Sequence, residues 1–166
     1  MKKILITGGA GFIGSAVADL FLENDFSVVI VDNLSTGSQK NIPSAAKFYE
    51  ADICDATKID EIFQKEKPEI VCHHAAQINV RVSLEDPRRD AEVNILGGIN
   101  VLNSAKKFGV KKFIFASTGG AMYGETEKIP TPETEISKPE SPYGIGKFAF
   151  EKYLEISGMS TTILRY

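Results

Sequence analysis

The sequence predicts an α/β fold: a doubly wound parallel sheet covered on both faces by helices, in three layers. Six short apolar runs rich in β-branched residues alternate with longer stretches of helical periodicity along the 166 residues. Several runs are apolar almost throughout, which is typical of strands buried on both faces. Alternating strands and helices imply right-handed crossovers between parallel strands. The length allows one domain of this kind.

The predicted strands are Lys3–Thr7, Ser27–Val31, Ala46–Glu50, Glu69–His73, Lys111–Ala116 and Thr161–Arg165. The predicted helices are Gly11–Asn24, Ala56–Lys65, Pro87–Phe108 and Pro142–Ser157. The proline-rich segment Thr126–Pro142 is predicted as a surface loop, and Ser141 is a suitable cap for the helix that begins at Pro142. We expect the strand order 3-2-1-4-5-6, with a ligand across the carboxyl ends of the strands.

Composition argues against several classes of partner. A formal net charge of -3 gives no basic surface for nucleic acid, and no apolar run is long enough to span a membrane. Two cysteines, Cys54 and Cys72, are too few for a disulfide scaffold, so we expect free thiols and a reducing, cytoplasmic compartment. Cys72, His73 and His74 follow one another and point to alternate faces of a strand, so we expect no metal site.

Three glycines stand between the first predicted strand and the first predicted helix. Gly8 permits a sharp turn, Gly11 lets a pyrophosphate approach bare main chain, and Gly14 lets the helix pack closely on the strand. Free amides and the dipole at the helix N-terminus then attract phosphate. A strand before these glycines and a helix after them are the context of a Rossmann-type, dinucleotide-binding loop.

Asp32 follows the second predicted strand, about twenty residues after the glycine loop. A carboxylate at this position accepts hydrogen bonds from the adenosine ribose hydroxyls and repels the 2′-phosphate of NADP. No arginine occurs between residues 33 and 40, so the sequence favours NAD as the cofactor. The alternative is that Asp32 only caps the turn Asp32–Leu34.

Tyr143 and Lys147 are four residues apart in the last predicted helix and therefore share one face. An ammonium beside a phenol favours the phenolate, so we expect the pKa of Tyr143 to be lowered towards neutrality. Tyr143 would then accept a proton from an alcohol, and Lys147 would also hold the nicotinamide ribose. Ser117 and Thr118 add hydroxyls at the end of the fifth predicted strand, where this fold places its ligands.

Together these residues resemble the extended short-chain dehydrogenase/reductase family, and within it the NAD-dependent sugar-nucleotide epimerases and dehydratases. The resemblance covers essentially the whole chain and is carried by motifs at Thr7–Gly14, Val31–Gly37, Asp52–Ile53, His74–Gln77, Asn94, Ser117–Thr118, Tyr123–Gly124, Tyr143–Lys147 and Leu164–Tyr166. It is closest to the UDP-glucose 4-epimerases, particularly between Asp32 and Gly37.

The resemblance implies that each motif has a role in binding NAD. The pyrophosphate would be bracketed by Gly8, Gly11, Phe12, Ile13 and Gly14, the adenosine ribose by Asp32, Asn33, Leu34, Ser35, Thr36 and Gly37, and the adenine by Asp52 and Ile53. The path to the nicotinamide would be lined by His74, Ala75, Ala76 and Gln77, with Asn94 steadying that loop. Tyr143 would take the proton of the sugar 4-hydroxyl while NAD takes the C4 hydride, and the ketone would receive it back on its other face.

One motif departs from the family pattern. Gly119, Gly120 and Ala121 place three residues, where the family usually has two, between the Ser/Thr pair and the following Tyr-Gly motif. Either Ser117 or Thr118 would therefore supply the hydroxyl that polarises the sugar oxygen, and we favour Thr118. The similar 4,6-dehydratases carry an Asp–Glu pair after that hydroxyl. Because this chain has two glycines there, the resemblance favours an epimerase over a dehydratase.

The chain ends at Leu164–Tyr166, in what we interpret as a core strand, so we expect a truncated chain that lacks the family's substrate domain. The implied function is a UDP-glucose/UDP-galactose 4-epimerase, or another sugar-nucleotide epimerase or dehydratase, acting on a UDP-hexose. The alternative is a truncated relative that binds NAD without turnover. The last helix is apolar on two sides, and the resemblance implies homodimers built from it and the Pro87–Phe108 helix. The alternative is that a missing domain covers this second side.

Overall fold

The computed structural model describes every residue from Met1 to Tyr166. Its strands are β1 (Lys3–Thr7), β2 (Ser27–Asp32), β3 (Lys47–Glu50), β4 (Ile70–His73), β5 (Lys112–Ser117) and β6 (Thr161–Arg165). All six form one parallel sheet in the order β3-β2-β1-β4-β5-β6, which confirms the predicted order. Each strand begins and ends within one residue of its predicted bounds, because the apolar β-branched runs are short and sharply delimited.

The central strand β1 is buried on both faces. Leu5 belongs to the larger of two core clusters, on one face of the sheet, whereas Ile4 and Ile6 belong to the smaller cluster on the other. This alternation follows from the two-residue period of a strand. The larger cluster also contains Phe113 and Phe115 of β5, so the core extends beneath the helix that precedes β6.

The helices are α1 (Phe12–Glu23), α2 (Ala56–Glu66), α3 (Val80–Glu85), α4 (Pro87–Ala91), α5 (Gly98–Lys107) and α6 (Pro142–Ile156). The predictions for α1, α2 and α6 are confirmed. The single helix predicted over Pro87–Phe108 is instead α4, a π-helical stretch (Glu92–Gly97) and α5 in one continuous run. Periodicity of 3.6 residues cannot reveal a stretch with i→i+5 hydrogen bonds, so the sequence pattern misses this element.

Two short elements have no counterpart in the sequence prediction. The six-residue helix α3 is capped by Asn79, whose Oδ1 accepts the amides of Arg81 at 2.9 Å and Val82 at 3.2 Å. A 3-10 turn spans Gln39–Asn41. Both are too short to show a periodic pattern of apolar residues, so their formation depends on local side-chain capping and packing.

The predicted loop before α6 is confirmed, because no helix or strand lies between β5 and α6. Ser141 Oγ accepts the Gly144 amide at 3.2 Å, and Pro142 occupies the first position of the helix. This arrangement satisfies a first-turn amide while Pro142 needs no partner for its own nitrogen.

None of the helices in the chain has the length and apolar character needed to cross a membrane.

The loops that follow β1, β2 and β4 leave the sheet at the same edge. The Gly8 amide donates to the Val31 carbonyl at 2.8 Å, and the His74 amide donates to the Thr7 carbonyl at 3.0 Å. The strand ladder therefore continues into these loops and fixes their positions relative to one another. In a parallel sheet of this order, the carboxyl edge is where ligands bind.

Candidate cofactor and active site

The turn after β1 is so tightly packed that it requires glycine. Gly8 has φ = +71°, and a Cβ placed on it would lie 2.5 Å from the Ala75 nitrogen. A Cβ on Gly14 would lie 2.2 Å from the Gly8 carbonyl oxygen. Both distances are far below van der Waals contact, so a side chain at either position would force the turn, α1 and the loop after β4 apart. These contacts fit the packing roles predicted for Gly8 and Gly14.

The N-terminus of α1 presents bare main chain next to this turn. Its cap residue, Gly11, provides no side-chain hydrogen bond to the first turn, and a Cβ there would meet only the Gly8 oxygen, at 3.3 Å. Phe12 is 93% exposed and Ile13 is also exposed. The first amides of α1 therefore lack a side-chain partner and are available to an anion. The site fits a pyrophosphate.

Asp32 links the turns that follow β1 and β2. Its Oδ2 accepts the Ala10 amide at 3.0 Å, and its Oδ1 accepts the Leu34 amide at 2.8 Å. The contact with Leu34 is the turn-capping interaction that was the alternative to ribose binding. Each carboxylate oxygen can accept a second hydrogen bond, so the capping contact and a ribose contact are compatible.

The segment after Asp32 wraps against the glycine turn. The Ser38 amide donates to the Ala10 carbonyl at 3.0 Å, and a Cβ at Gly37 would lie 2.9 Å from the Ala10 Cβ. Asn33, Ser35 and Thr36 are exposed between these anchors. The structure therefore brings the predicted ribose-binding segment beside the predicted phosphate loop, with its polar side chains exposed.

Asp52 and Ile53 differ in what they can offer to a ligand. Burial alone would raise the pKa of Asp52, but hydrogen bonds from the Cys54 amide and the Asn33 side chain outweigh it and lower the pKa. The Asp52 carboxylate is thus ionised and partly exposed. Ile53 is 4% exposed and belongs to the larger core cluster, so it offers little side-chain surface to a ligand.

The loop after β4 is held by Asn94. The Asn94 side chain donates to the Gln77 carbonyl at 2.9 Å and accepts the Gln77 amide at 3.0 Å. Asn94 lies in the π-helical stretch and also donates to Asp90 at 3.0 Å. None of the sequence motifs includes Asp90. The signal that could have found it is its i,i+4 spacing from Asn94, which places both side chains on one helix face.

His73 and His74 occupy different environments. Thr7 Oγ1 lies 2.6 Å from Nδ1 of the fully buried His73, and burial lowers its pKa well below the ordinary value. Cys72 Sγ lies 3.1 Å from His74 Nε2, and burial lowers the pKa of His74 to about 4, with a further contribution from Lys147. Both imidazoles are therefore neutral at neutral pH. No group of three or more His, Cys, Asp or Glu side chains has the arrangement of a metal site.

Lys147 is buried under the carboxyl edge of the sheet, with 3% of its surface exposed. Its Nζ donates to the Ala116 carbonyl at 3.0 Å and lies 4.8 Å from the centre of the Phe115 ring. The centre of the Tyr143 ring is 5.9 Å away. Burial lowers the pKa of Lys147 to about 8, against an opposing effect of Asp90. The side chain thus remains mostly an ammonium at neutral pH.

The expected lowering of the Tyr143 pKa is wrong for this structure. Burial and the Asp90 carboxylate raise the pKa of Tyr143 above its ordinary value, and the neighbouring Thr118 hydroxyl only partly offsets them. The reason is geometric, because the Lys147 ammonium lies over Phe115 and hydrogen-bonds to the β5 main chain instead of the phenol. Spacing along the helix brings the two residues to one site but does not determine which group the ammonium contacts.

Ser117 and Thr118 have different hydrogen-bond partners and lie in different surroundings. Ser117 is buried, and its hydroxyl donates to Glu151 Oε1 at 2.5 Å. Thr118 lies at the Tyr143 side, and its Oγ1 accepts the Ala121 amide at 3.2 Å. Of the two hydroxyls, Thr118 is therefore the one that remains near the predicted proton acceptor.

The buried Glu151 and the partly exposed Arg165 form an ion pair behind these hydroxyls that no motif in the sequence predicts. Arg165 donates to both Glu151 oxygens, at 3.1 and 2.7 Å, and to the Tyr123 hydroxyl at 2.6 Å. Glu151 is fully buried in α6 and lies one turn beyond Lys147. This i,i+4 spacing on the buried face is the signal that could have found it. The pair ties α6 to β6 and to the loop that follows β5.

A family model described as "NAD dependent epimerase/dehydratase family" matches residues 4–166. The chain is 46% identical to a putative UDP-glucose 4-epimerase of Methanocaldococcus jannaschii, over 98% of this chain and 54% of that protein. It is 41% identical to the UDP-glucose 4-epimerase of Mycolicibacterium smegmatis, over 93% of this chain and 50% of that protein. The chain thus spans about half the length of these relatives.

Solved structures are similar over the same region. The UDP-glucose 4-epimerase of Thermotoga maritima, crystallised with UDP-glucose, matches with a TM-score of 0.96 and 52% identity, covering 99% of this chain and 55% of that one. The UDP-glucose 4-epimerase of Thermus thermophilus, in complex with NAD, matches with a TM-score of 0.96 and 44% identity, covering 99% and 54%. Since the family model spans nearly all of the sequence, the chain belongs to the NAD dependent epimerase/dehydratase family.

Proposed function

We propose that this chain forms the NAD-binding half of a UDP-glucose 4-epimerase and contributes its proton acceptor. The observation that carries the proposal is the Tyr143–Lys147 pair, partly and fully buried, at the same sheet edge as the glycine turn. A dinucleotide site with a phenol and an ammonium at one end is suited to oxidation of an alcohol. The UDP-glucose 4-epimerases to which the chain is similar support the choice of reaction.

The proposed cofactor is NAD. The free amides of α1 would receive the pyrophosphate, Asp32 would accept the adenosine ribose hydroxyls, and the Asp52 carboxylate with the Ile53 main chain would flank adenine. The negative charge of Asp32 and the lack of arginine in the following loop favour NAD over NADP. The Thermus thermophilus neighbour was crystallised with NAD, which supports this choice.

Tyr143 is the proposed proton acceptor for the 4-hydroxyl of a UDP-hexose. Lys147, fixed by the Ala116 carbonyl, would hold the nicotinamide ribose, and its charge would favour the phenolate as the proton moves. Thr118 would polarise the sugar oxygen, since the Ser117 hydroxyl is buried and donates to Glu151. When bound, NAD would supply a reversible hydride acceptor for sugar C4 and a positive charge that helps lower the raised pKa of Tyr143.

Two glycines favour epimerisation over dehydration. Gly119 and Gly120 follow Thr118, so neither of these two positions supplies a side chain that could act as an acid or base for elimination of water. A sugar ketone formed here would therefore be reduced again rather than dehydrated. The alternative is a module that binds NAD without turnover. It would account for the glycine turn and Asp32, but it would give the Tyr143–Lys147 pair no catalytic function.

We further propose that the protein forms a homodimer in the cytoplasm. Apolar side chains are exposed on α6 and on the π-helical stretch, namely Ile145, Tyr153, Ile156 and Leu96. A second copy of the chain would cover them. Both cysteines are free thiols, which is consistent with a reducing compartment, and fractionation of the source cells would test this location.

The test is conversion of UDP-galactose to UDP-glucose by this chain and by a version extended past Tyr166. We expect both to bind NAD and the extended version to turn over. Cofactor binding is measured separately from turnover, through the fluorescence of the bound reduced cofactor. If the extended version binds NAD but does not interconvert the sugars, the epimerase proposal is contradicted and the non-catalytic module is supported.

A further inference from the structure

One buried carboxylate holds both ends of the loop that follows β5, which we call the Thr118 loop (residues 118–123). Ser117, the last residue of β5, donates its hydroxyl to Glu151 Oε1 at 2.5 Å. Arg165 donates to Glu151 Oε1 at 3.1 Å and to Oε2 at 2.7 Å, and it also donates to the Tyr123 hydroxyl at 2.6 Å. Glu151 is therefore connected directly to the residue before the loop, and through Arg165 to its last residue.

The Thr118 loop lies against the start of α6, where Tyr143 is. A Cβ on Gly144, the residue after Tyr143, would lie 2.3 Å from the Ala121 carbonyl oxygen, so the loop and the helix are in close contact. The Thr118 hydroxyl lies beside the phenol of Tyr143 and accepts the Ala121 amide at 3.2 Å. A Cβ on Gly120 would meet no atom within 4 Å, so the tip of the loop has little packing of its own. Contacts at the ends of the loop therefore matter for where Thr118 lies.

Helix α6 contacts the last two residues of β5. Lys147 Nζ donates to the Ala116 carbonyl at 3.0 Å, and one turn further along the helix Glu151 accepts the Ser117 hydroxyl. Thr118 follows Ser117 directly in the chain. These two contacts thus fix the residue before Thr118 against the helix that carries the proposed proton acceptor.

The hydrogen bonds of Glu151 require a carboxylate. Burying a carboxylate is costly unless it is paired and hydrogen-bonded, and the fully buried Glu151 accepts three bonds from Ser117 and Arg165. A glutamine has only one acceptor oxygen, and its amide nitrogen would face a donor of Arg165, so at least one bond from Arg165 would be lost. Because both Glu151 oxygens are occupied and buried, this residue acts on its neighbours and not on a ligand.

We propose that Glu151, paired with Arg165, is a positioning residue that holds the Thr118 hydroxyl beside Tyr143. It acts through Ser117 at one end of the Thr118 loop and through Arg165 at the other. The effect on turnover rests on the proposed function, whereas the effect on the order of the loop does not.

Two mild variants each break one connection and leave the Glu151–Arg165 ion pair intact. Ser117→Ala removes the direct connection, and Tyr123→Phe removes the one through Arg165. The measurement is native-state hydrogen exchange of the Ala121 amide, followed by NMR, because this amide donates to the Thr118 hydroxyl. We expect exchange at Ala121 to become about tenfold faster in each variant, since the bond opens more often when the loop is held at one end only.

Main-chain bonds should keep the variants folded. The Gly119 amide donates to the Tyr166 carbonyl at 2.5 Å, and no side-chain change alters that bond. Exchange of the Gly8 amide, on the other side of the sheet centre, should stay unchanged and serves as the internal reference. Tyr153→Phe is the control variant, because Tyr153 is exposed on α6. Unchanged exchange at Ala121 in either folded variant overturns the proposal.

A second test uses turnover of the extended enzyme in a double-mutant cycle. Glu151→Gln should lower kcat by about tenfold with little change in KM or in NAD affinity, because it misplaces the Thr118 hydroxyl without removing a binding contact. In a Thr118→Val background the same change should cost nothing further, since the hydroxyl is already absent. Should Glu151→Gln fail to fold, Ser117→Ala takes its place in the cycle. Equal losses in both backgrounds would show a merely structural role and overturn the proposal.

The two tests separate this inference from the proposed function. Faster exchange at Ala121 in variants of an extended enzyme that has no epimerase activity would contradict the proposed function alone. An active enzyme whose Ala121 exchange does not respond to Ser117→Ala or Tyr123→Phe would contradict this inference alone. Glu155→Gln is the matched control for turnover, because Glu155 is exposed one turn beyond Glu151.

Discussion

Lys147 is the residue whose surroundings differ most from those implied by its position in the sequence. The spacing of four residues predicts an ammonium on the phenol of Tyr143, but the ammonium hydrogen-bonds to Ala116 and lies over Phe115. Burying an ammonium without a hydrogen bond is costly, and here the acceptor is a main-chain carbonyl at the end of β5. The phenol is therefore left with a raised pKa, and further positive charge is needed before it can accept a proton.

Removal of the phenol hydroxyl tests the role of Tyr143. Tyr143→Phe in the extended enzyme should lower turnover by about a hundredfold or more, because no other acceptor is positioned to replace it, while NAD remains bound. Steady-state rates and cofactor titration measure the two effects. Tyr153→Phe is the control, since Tyr153 lies in the same helix and its side chain is exposed. Retained activity in Tyr143→Phe would remove this residue from its proposed role.

At the scale of elements, α6 has two faces with different tasks. Lys147, Glu151 and Leu154 are buried on one face, where Glu151 pairs with Arg165 of β6 and accepts the Ser117 hydroxyl. The helix is thereby fixed to two strands at the level of the site. Its other face exposes Ile145 and Ile156 to solvent. One helix therefore contributes both to the site and to the proposed dimer surface.

A charge on the exposed face of α6 tests the dimer. Ile145→Asp should convert a dimer to a monomer without unfolding it, because the carboxylate would be desolvated only in the interface. Sedimentation velocity gives the mass, and circular dichroism monitors the fold. Leu20→Asp is the matched control, since Leu20 is comparably exposed on α1. A monomer in the unaltered chain, or a dimer that tolerates Ile145→Asp, would contradict the proposed surface.

At the scale of the molecule, the carboxyl and amino ends of the parallel strands have different roles. The carboxyl edge carries the site, whereas the opposite edge is held by Glu66, whose carboxylate contacts Lys3 at 3.0 Å, Lys47 at 2.5 Å and Tyr49 at 2.5 Å. Burial alone would raise the pKa of Glu66, but the hydrogen bonds from Lys47, Tyr49 and Lys3 outweigh it and lower the pKa to about 2. The cluster joins α2 to β1 and β3.

Acid should therefore destabilise the fold through Glu66. Since its folded pKa is depressed, the stabilisation is complete above the unfolded value near 4.5 and is lost as pH falls towards about 2. The shift corresponds to about 3 kcal/mol. In urea unfolding, Glu66→Gln should be less stable than the unaltered chain at pH 7, and the difference should shrink below pH 4. Glu61→Gln, at an exposed position of α2, is the control, and a pH-independent difference would contradict the assignment.

Much of the fold could be predicted because its signals are local. The strands are apolar β-branched runs, the glycine turn has a strand before it and a helix after it, and Ser141–Pro142 begins α6. The π-helical stretch and α3 could not be predicted, since one lacks a distinct period and the other is too short for one. Of the site, the sequence identified the residues that surround the carboxyl edge, but the roles assigned to them as ligands remain predictions.

By itself the sequence determined the topology of the sheet and the set of residues at its carboxyl edge, because both follow from periodicity and from the order of motifs along the chain. Only the tertiary structure decided which groups contact one another there. It directs the Lys147 ammonium to Ala116, the Ser117 hydroxyl to Glu151, and the Asp90 carboxylate towards α6. Charge and pKa depend on burial and on neighbours distant in sequence, and for that reason the chemistry of the site required the folded molecule.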